Sequence, residues 1–436
     1  MKKLPYHIKF LKITYKIIFI IFSISIFFNY GCVDDSQSYK ISTSGSEEST
    51  PIKSIKIYLE TSISMKGYVN ADVAGDYQLP LIVPTLITDC DVKFDTTYLF
   101  TICDRPRTYT NTRNEFRDAL ISGNIFTGSS SILDNIFIQI IDSTQKNEVS
   151  MLISDCILDL GSGQTMASRS YITTDLYDVL SKHKHISAAV FQYYSDFNGD
   201  WYYDRNNYPK PFVSEIMQNR PFYIWIFGSS SSIKQIFEKN TFKNYKNIYT
   251  YGINYKEITC KLLKYPKDGR ISITDNENIK IIEVSDELPV TFTIGLDLSL
   301  FPEYCKEQNY LSNNLEIDSD FFAPNIEVFD IEDIKKTLSK REFEDIRPVI
   351  SQFGLTRFVK LTFDNMPDSV FKLILQKKEP KWINNAEIDD DLCKSIEELE
   401  KKTFSFTYLT NAFNDKYEGE NIFEINFTLI NNKTKK

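Results

Sequence analysis

Residues 55–68 read Ile55-Lys56-Ile57-Tyr58-Leu59-Glu60-Thr61-Ser62-Ile63-Ser64-Met65-Lys66-Gly67-Tyr68. The first five residues alternate apolar Ile55, Ile57 and Leu59 with Lys56 and Tyr58, a period-2 pattern that predicts a β-strand. The strand runs into Glu60, Ser62 and Ser64, and Gly67 ends the pattern. A carboxylate and two hydroxyls crowded into one loop form an oxygen-only donor set. That chemistry suits a hard cation such as Mg²⁺ or Mn²⁺. The alternative is a serine-rich exit from a strand with no ion.

Downstream of this stretch, strand-like and helix-like segments alternate as far as residue 254. Strands are predicted at 97–102, 149–153, 186–194 and 222–227. Helices are predicted around 81–86, 114–121, 132–141, 171–180 and 233–238. Strands separated by helices predict an α/β fold with a doubly wound, mostly parallel sheet of Rossmann-like type. Ligands of such sheets bind at the carboxyl ends of the strands.

Two further loops fall at such ends. Phe126-Thr127-Gly128-Ser129-Ser130-Ser131-Ile132-Leu133 precedes an apolar helical run, where a serine also suits a helix N-cap. Leu152-Ile153-Ser154-Asp155-Cys156 closes an aliphatic strand on an acid. An Asp there is also an ordinary turn residue.

The three loops together resemble the adhesion site of von Willebrand factor A-type domains. Those domains carry Asp-x-Ser-x-Ser after their first strand, where this chain has Glu60-Thr61-Ser62-Ile63-Ser64. Their Gly-Gly-Thr-Asn-Leu loop matches 126–133, which puts Ser130 in the threonine position, with Thr127 as the alternative. Their Thr-Asp-Gly turn matches Ser154-Asp155-Cys156. The resemblance implies a metal site of Glu60, Ser62, Ser64, Ser130 and Asp155. It also implies adhesion to a protein or surface ligand whose acidic group completes the ion's shell. The departure is Glu60, one methylene longer than the family's Asp.

The chain begins with a targeting pattern. Lys2, Lys3, Lys9, Lys12 and Lys16 precede an apolar run at 17–28, shorter than the ~20 residues of a confident span. Gly31-Cys32 then resembles a bacterial lipoprotein signal, with Cys32 lipidated. An uncleaved signal anchor is the alternative. The polar stretch 32–51 predicts a flexible tether. Removing 1–31 takes away five lysines and no acid, so the net charge falls from −9 to −14. An acidic chain of this kind argues against a nucleic-acid partner. The expected setting is the bacterial cell envelope, lipid-anchored at the outer membrane or cell surface.

Besides Cys32, six cysteines remain and none forms a Cys-x-x-Cys pair, which argues against zinc and thioredoxin-like sites. Residues 255–436 carry strand patterns at 278–284, 290–298, 357–363, 370–375 and 422–430, with few helices between the later ones. They predict a β-rich, possibly sandwich-like domain after the α/β domain at 52–254. Helical character is expected at 331–350, 392–401 and 408–417.

One aromatic stretch, 193–203, surrounds Asn198-Gly199-Asp200. It reads either as a ligand surface built on Tyr194, Phe197, Trp201 and Tyr202, or as a hairpin turning at Asn198-Gly199.

Only His7, His183 and His185 are present, and no Gly-x-Ser-x-Gly elbow. A Ser-His-Asp enzyme therefore lacks its parts, and the chain is expected not to be an enzyme. Two alternatives stay open: a structural subunit with a degenerate, metal-free site, and a Mg²⁺-dependent hydrolase or phosphatase.

Overall fold

A computed structural model describes residues 50–70, 74–129, 131–157, 166–201, 212–213, 217–253, 255, 258–268, 272–273, 279–282, 289–318, 323–364, 370–388 and 401–430. The signal and tether through residue 49, Cys32 and Ser130 lie outside these residues, as do Tyr202, Cys393 and the 392–400 part of one expected helix.

The first strand, Ser54–Glu60 (β1), is almost wholly buried. Thr97–Ile102 (β2) pairs with it in parallel, and Arg107–Thr108 (β3) closes that edge antiparallel to β2. On the other side Glu148–Ser154 (β4) is also parallel to β1. Helix Leu79–Lys93 connects β1 to β2, and helices Arg113–Ile121 and Leu133–Ser143 lie between β3 and β4. Their apolar faces supply buried Leu86, Phe116, Leu120, Ile136, Phe137 and Ile140 to the core. Thr112 and Glu115 form a reciprocal capping box that starts the second of these helices. This half is the expected parallel α/β unit.

The other half differs. Helix Met166–Lys182 leads to Ser187–Phe197 (β5), and among the described residues no helix follows before the next long strand. Instead Asp200–Trp201 (β6) pairs with Phe212–Val213 (β7), and Met217–Gly228 (β8) returns antiparallel to β5. The sheet order is β3-β2-β1-β4-β8-β5-β9, with Asn247–Tyr251 as β9. Thus β8 sits between β4 and β5, antiparallel to both, and β9 is antiparallel to β5. Strands β1, β2, β4 and β5 point one way and the other three point back. The expectation of a doubly wound, mostly parallel sheet is met in part: the sheet is mixed, parallel through β2-β1-β4 and antiparallel between the other neighbours. The physical reason is the connection: antiparallel neighbours need only a hairpin-type return, whereas a parallel neighbour needs a crossover long enough for a helix.

The face of the sheet that carries Tyr223 and Trp225 is covered from near the far end of the chain. Helix Phe406–Lys416 packs beside Met166–Lys182, where Thr173 Oγ1 donates to the Tyr408 carbonyl at 2.9 Å. Its Phe406 stacks on Tyr223 at 4.4 Å, and its Phe413 meets Trp225 and Tyr251, each at 5.2 Å. One buried cluster draws residues from Ile52 to Phe427, and a smaller second one gathers around Ile334, Ile346 and Phe358.

Of the remaining strands, Glu387–Ile388 and Thr403–Phe404 pair with each other in parallel, and the others form two larger sheets. One orders Cys260–Asp268, Val290–Leu296, Arg357–Phe363 and Asn325–Phe329, all antiparallel. The other contains Ser272–Ile273, Ile279–Ile282, Asn421–Ile430, Val370–Gln376 and Leu315–Asp318. Phe363 of the first sheet and Phe371 of the second meet at 5.5 Å, so apolar faces of the two sheets join there. Helices Ile331–Thr337 and Lys340–Phe353 replace the single segment expected at 331–350, because Ser339 caps the second helix through Glu342. Among the described residues no helix is long and apolar enough to cross a membrane.

Phe413 is fully buried against three aromatics of the first sheet. Phe413→Ala should therefore lower the stability of the whole chain by about 3–5 kcal/mol. Urea denaturation followed by Trp fluorescence should show one earlier transition rather than separate loss of a C-terminal unit.

Candidate functional site

β1 and β4 are hydrogen-bonded neighbours in which Leu59 faces Ile153. The next positions, Glu60 on one strand and Ser154 on the other, leave the sheet side by side. Beyond them the chain carries Ser62 and Ser64 on one loop and Asp155 on the other. The third loop is tied to the first by backbone. Gly128 N donates to the Thr61 carbonyl and Ile63 N to the Gly128 carbonyl, both at 2.9 Å. Gly128 is needed at this approach: a Cβ there would overlap the Cys103 sulfur and lie 3.0 Å from the Thr61 carbonyl oxygen.

Glu60 is buried and accepts hydrogen bonds on both carboxylate oxygens. Ser62 Oγ donates to Oε1 at 2.6 Å, and Ser154 Oγ donates to Oε2. The Ser131 hydroxyl also bonds this carboxylate. Ser62 Oγ lies 3.0 Å from Ser64 Oγ. Asp155 is equally buried. Its Oδ1 accepts from Ile157 N at 3.2 Å, and the Ser64 hydroxyl bonds the same side chain. Its Oδ2 has no hydrogen-bond partner. An orphaned carboxylate oxygen in a dry site costs ~1–3 kcal/mol or more unless something occupies it.

Burial pushes the Glu60 carboxyl up to about 7, and the Asp155 charge adds to the rise. The hydroxyls of Ser154, Ser62 and Ser131 oppose it. Burial also raises Asp155, against the pull of the Arg220 guanidinium and of local hydrogen bonds. Arg220 belongs to β8, is itself buried, and lies over the Phe197 ring at 5.1 Å. It also bonds the Tyr68 hydroxyl, which donates to the Pro221 carbonyl at 2.6 Å.

Of the five residues proposed to hold an ion, Glu60, Ser62, Ser64 and Asp155 converge, and Ser130 is outside the described residues. The alternative Thr127 is exposed. Ser131, Ser154 and Arg220 join the site without having been predicted. Ser154 is implied once β1 and β4 are known to be neighbours, since register places it opposite Glu60. Ser131 is hidden within a run of three serines. Arg220 carries no sequence signal, because it arrives on the strand whose position departs from the expected order. Among the described residues no three His, Cys, Asp or Glu side chains converge on one point, so the donor set is two carboxylates with hydroxyls.

Within the aromatic stretch, Phe197 is not a surface residue. Phe197 is fully buried, with its ring 4.9 Å from Tyr68 and against Gly67, where a Cβ would overlap it. Tyr193 is buried as well, and Tyr194 is half-buried. Asn198 N donates to the Gly67 carbonyl at 2.9 Å, so Asn198-Gly199 braces the first loop rather than turning β5 onto an adjacent strand. Trp201 forms part of β6, and its side chain and Tyr202 lie outside what is described. His183 and His185 bond Asp142 at 2.8 Å and the Thr144 carbonyl at 3.0 Å, before β4 and β5 begin and so at the opposite end of the sheet.

Cys90, Cys156, Cys260 and Cys305 are buried thiols without disulfides. Cys156 adopts a left-handed backbone at φ 57°, a conformation that costs an ordinary side chain ~1–2 kcal/mol. At that turn Cys156 N donates to Ser154 Oγ at 2.8 Å and Ile157 N to Asp155 Oδ1 at 3.2 Å, which fixes both side chains.

Comparisons with family models, with curated proteins and with solved structures give no match for this chain.

Because the Glu60 carboxyl is raised from 4.5 to about 7, the folded metal-free chain binds a proton more tightly than the unfolded chain does. The sign follows directly: this contribution to stability is complete below about 4.5 and is lost as pH rises through about 7. Its full size is roughly 3 kcal/mol. Glu60→Gln should flatten the stability change between pH 5 and 8, read by chemical denaturation in the presence of EDTA.

Proposed function

We propose that the loops at the ends of β1 and β4 hold one divalent cation, Mg²⁺ or Mn²⁺, through which the protein binds an acidic group of a protein or surface ligand. The observation that carries this reading is the buried, partnerless Oδ2 of Asp155 beside a pair of serine hydroxyls. The donor chemistry fits. Neighbouring oxygens in an octahedral Mg²⁺ shell lie about 2.9 Å apart, and the Ser62 and Ser64 oxygens are 3.0 Å apart. Ser62 gives its proton to Glu60, which leaves its lone pairs for the ion. Ser62, Ser64 and Asp155 would then be the direct ligands. Glu60, with both oxygens engaged by hydroxyls, would orient Ser62 and Ser154 and supply charge. This division of roles accommodates the extra methylene of Glu60 in a von Willebrand factor A-like site.

Charge supports the partner class. With all groups ionised, Glu60, Asp155 and Arg220 sum to a formal −1 in a buried site. A proton brings the sum to zero. A divalent cation brings it to +1, which favours capture of one anionic group. We read the whole chain as an envelope lipoprotein anchored through Cys32, on the strength of the basic, apolar and Gly31-Cys32 sequence at 1–32.

A second reading is favoured by the raised Glu60 carboxyl: a proton shared within the carboxylate pair replaces the cation, and the site is structural. Isothermal calorimetry with Mn²⁺ and Mg²⁺ on the full chain in mild detergent separates the two. The metal reading predicts binding at pH 8, about tenfold weaker at pH 6 because Glu60 must release its proton. It also predicts no binding in Asp155→Ala and at least tenfold weakening in Ser64→Ala. No heat at about 10 mM metal, at pH 8, would leave the proton-filled site as the account.

A further inference from the structure

We propose that His183 and His185 form a second, independent metal site, for a late transition ion such as Cu²⁺, Ni²⁺ or Zn²⁺. The pair lies at the end of the sheet opposite the carboxylates, where helices Leu133–Ser143 and Met166–Lys182 both finish. It shares no residue with the β1 and β4 loops and does not rest on their reading.

The local backbone brings the two rings together. Past the end of its helix, His183 N donates to the Val179 carbonyl at 3.1 Å, and Ile186 N donates to the His183 carbonyl at 2.9 Å. The second bond closes a four-residue turn with His183 and His185 at its first and third positions. The imidazole centres stand 6.0 Å apart, with the ring planes at 72°. An ion held by one nitrogen of each ring, at about 2.0–2.1 Å, sets the centres about 5.2 Å apart at a tetrahedral angle and about 6.4 Å apart when the nitrogens lie opposite each other. The observed spacing falls inside that range.

Hydrogen bonds decide which nitrogen of each ring is open. His185 Nε2 lies 3.0 Å from the Thr144 carbonyl oxygen. A carbonyl only accepts, so Nε2 carries the proton and Nδ1 of the neutral ring keeps its lone pair. His183 Nε2 lies 2.8 Å from Asp142 Oδ1, and the carboxylate fixes the same tautomer there. Metal-ligating histidines are oriented in this way: one ring N–H donates to a carboxylate or a backbone carbonyl, and the other nitrogen takes the ion. Neither ring is closed off from solvent. His183 is 27 % exposed, and His185 is half-buried.

Charge and donor type narrow the ion. A helix C-terminus carries partial negative charge, two of them adjoin here, and Asp142 adds a carboxylate. Lys182 and Lys184 oppose a cation, but both are exposed and screened by solvent. Imidazole suits the later transition ions, whereas Mg²⁺ prefers oxygen. Among the described residues no third His, Cys, Asp or Glu completes the set. The remaining coordination positions therefore fall to water or to a donor from outside the chain.

The test uses Cu²⁺ and Zn²⁺ as probes, with calorimetry and electron paramagnetic resonance on the full chain in mild detergent. Mg²⁺ at about 10 mM is present throughout, to keep the probes from the carboxylate loops. The expected result is one Cu²⁺ bound at about 1 µM, with Zn²⁺ about tenfold weaker. The Cu²⁺ spectrum of the unsubstituted chain should show coupling to two histidine nitrogens, altered by ¹⁵N-histidine labelling. His183→Gln and His185→Gln keep an N–H for Asp142 and for the Thr144 carbonyl. Each should weaken Cu²⁺ about 100-fold and reduce the coupling to one nitrogen. Asp142→Asn, which changes a positioning residue, should weaken Cu²⁺ about tenfold and leave both nitrogens coupled. Circular dichroism melting of each variant guards against misfolding, and the nitrogen count on the unsubstituted chain needs no variant to fold. Cu²⁺ binding weaker than about 100 µM overturns the proposal. Coupling to a single histidine nitrogen at one equivalent of Cu²⁺ overturns it too, as does binding that survives both glutamine substitutions together. Cu²⁺ binding that is lost in Asp155→Ala and kept in the histidine variants assigns the ion to the carboxylate loops and overturns the site.

Discussion

Two buried carboxylates at the ends of adjacent parallel strands set the central constraint of this structure. Glu60 and Asp155 are removed from water together, with one guanidinium to offset them. Like charges in a dry site cannot both persist without a counter-charge. The surrounding chain is arranged around this demand. Serines 62, 131 and 154 direct hydroxyls at Glu60, and Ser64 and Ile157 serve Asp155. Arg220 reaches the site only because β8 lies next to β4. The close backbone approach of Gly128 and the buried Phe197 under Gly67 then hold the loops in place.

The same insertion of β8 explains how the molecule closes. The return from β5 to β8 is antiparallel, with no helix among its described residues, and the sheet face that carries Tyr223 and Trp225 needs a cover from elsewhere. Those side chains are instead buried by Phe406 and Phe413, from a helix near the far end of the chain. Burying two such aromatic pairs is worth several kcal/mol, at ~25 cal/mol per Å² of apolar surface. The strands after residue 255 are consequently fastened to the first sheet through its core. The loops holding the carboxylates sit at one end of that sheet, and the histidines at the other.

Much of the parallel half was legible from pattern. Alternation at 55–59, 97–102 and 149–153 gave strands within a residue or two of those observed, and helical spacing at 132–141 gave the helix Leu133–Ser143. What periodicity cannot report is which strand lies beside which. The long aromatic strand at 217–228 reads the same whether parallel or antiparallel, so the position of β8, and with it Arg220, was invisible. The short strands at 315–318 and 325–329 lacked a clear alternation and were missed. In the site, residue type and order brought out Glu60, Ser62, Ser64 and Asp155, because oxygen donors at strand ends are visible as letters. Ser131 and Ser154 needed register, which is a property of two strands at once. Phe197 stayed open between a ligand surface and a packed position because an aromatic next to Asn-Gly has the same letter whether it faces solvent or the core.

The central claim is that one buried negative charge is balanced by either a proton or a divalent cation. Counting the protons released when Mn²⁺ binds tests it most directly, from calorimetric heats in buffers of different ionisation enthalpy. The account predicts close to one proton released per Mn²⁺ at pH 6 and nearly none at pH 8.5, with Glu60→Gln releasing none at either pH. Binding at pH 6 without proton release, or release that persists in Glu60→Gln, would contradict it.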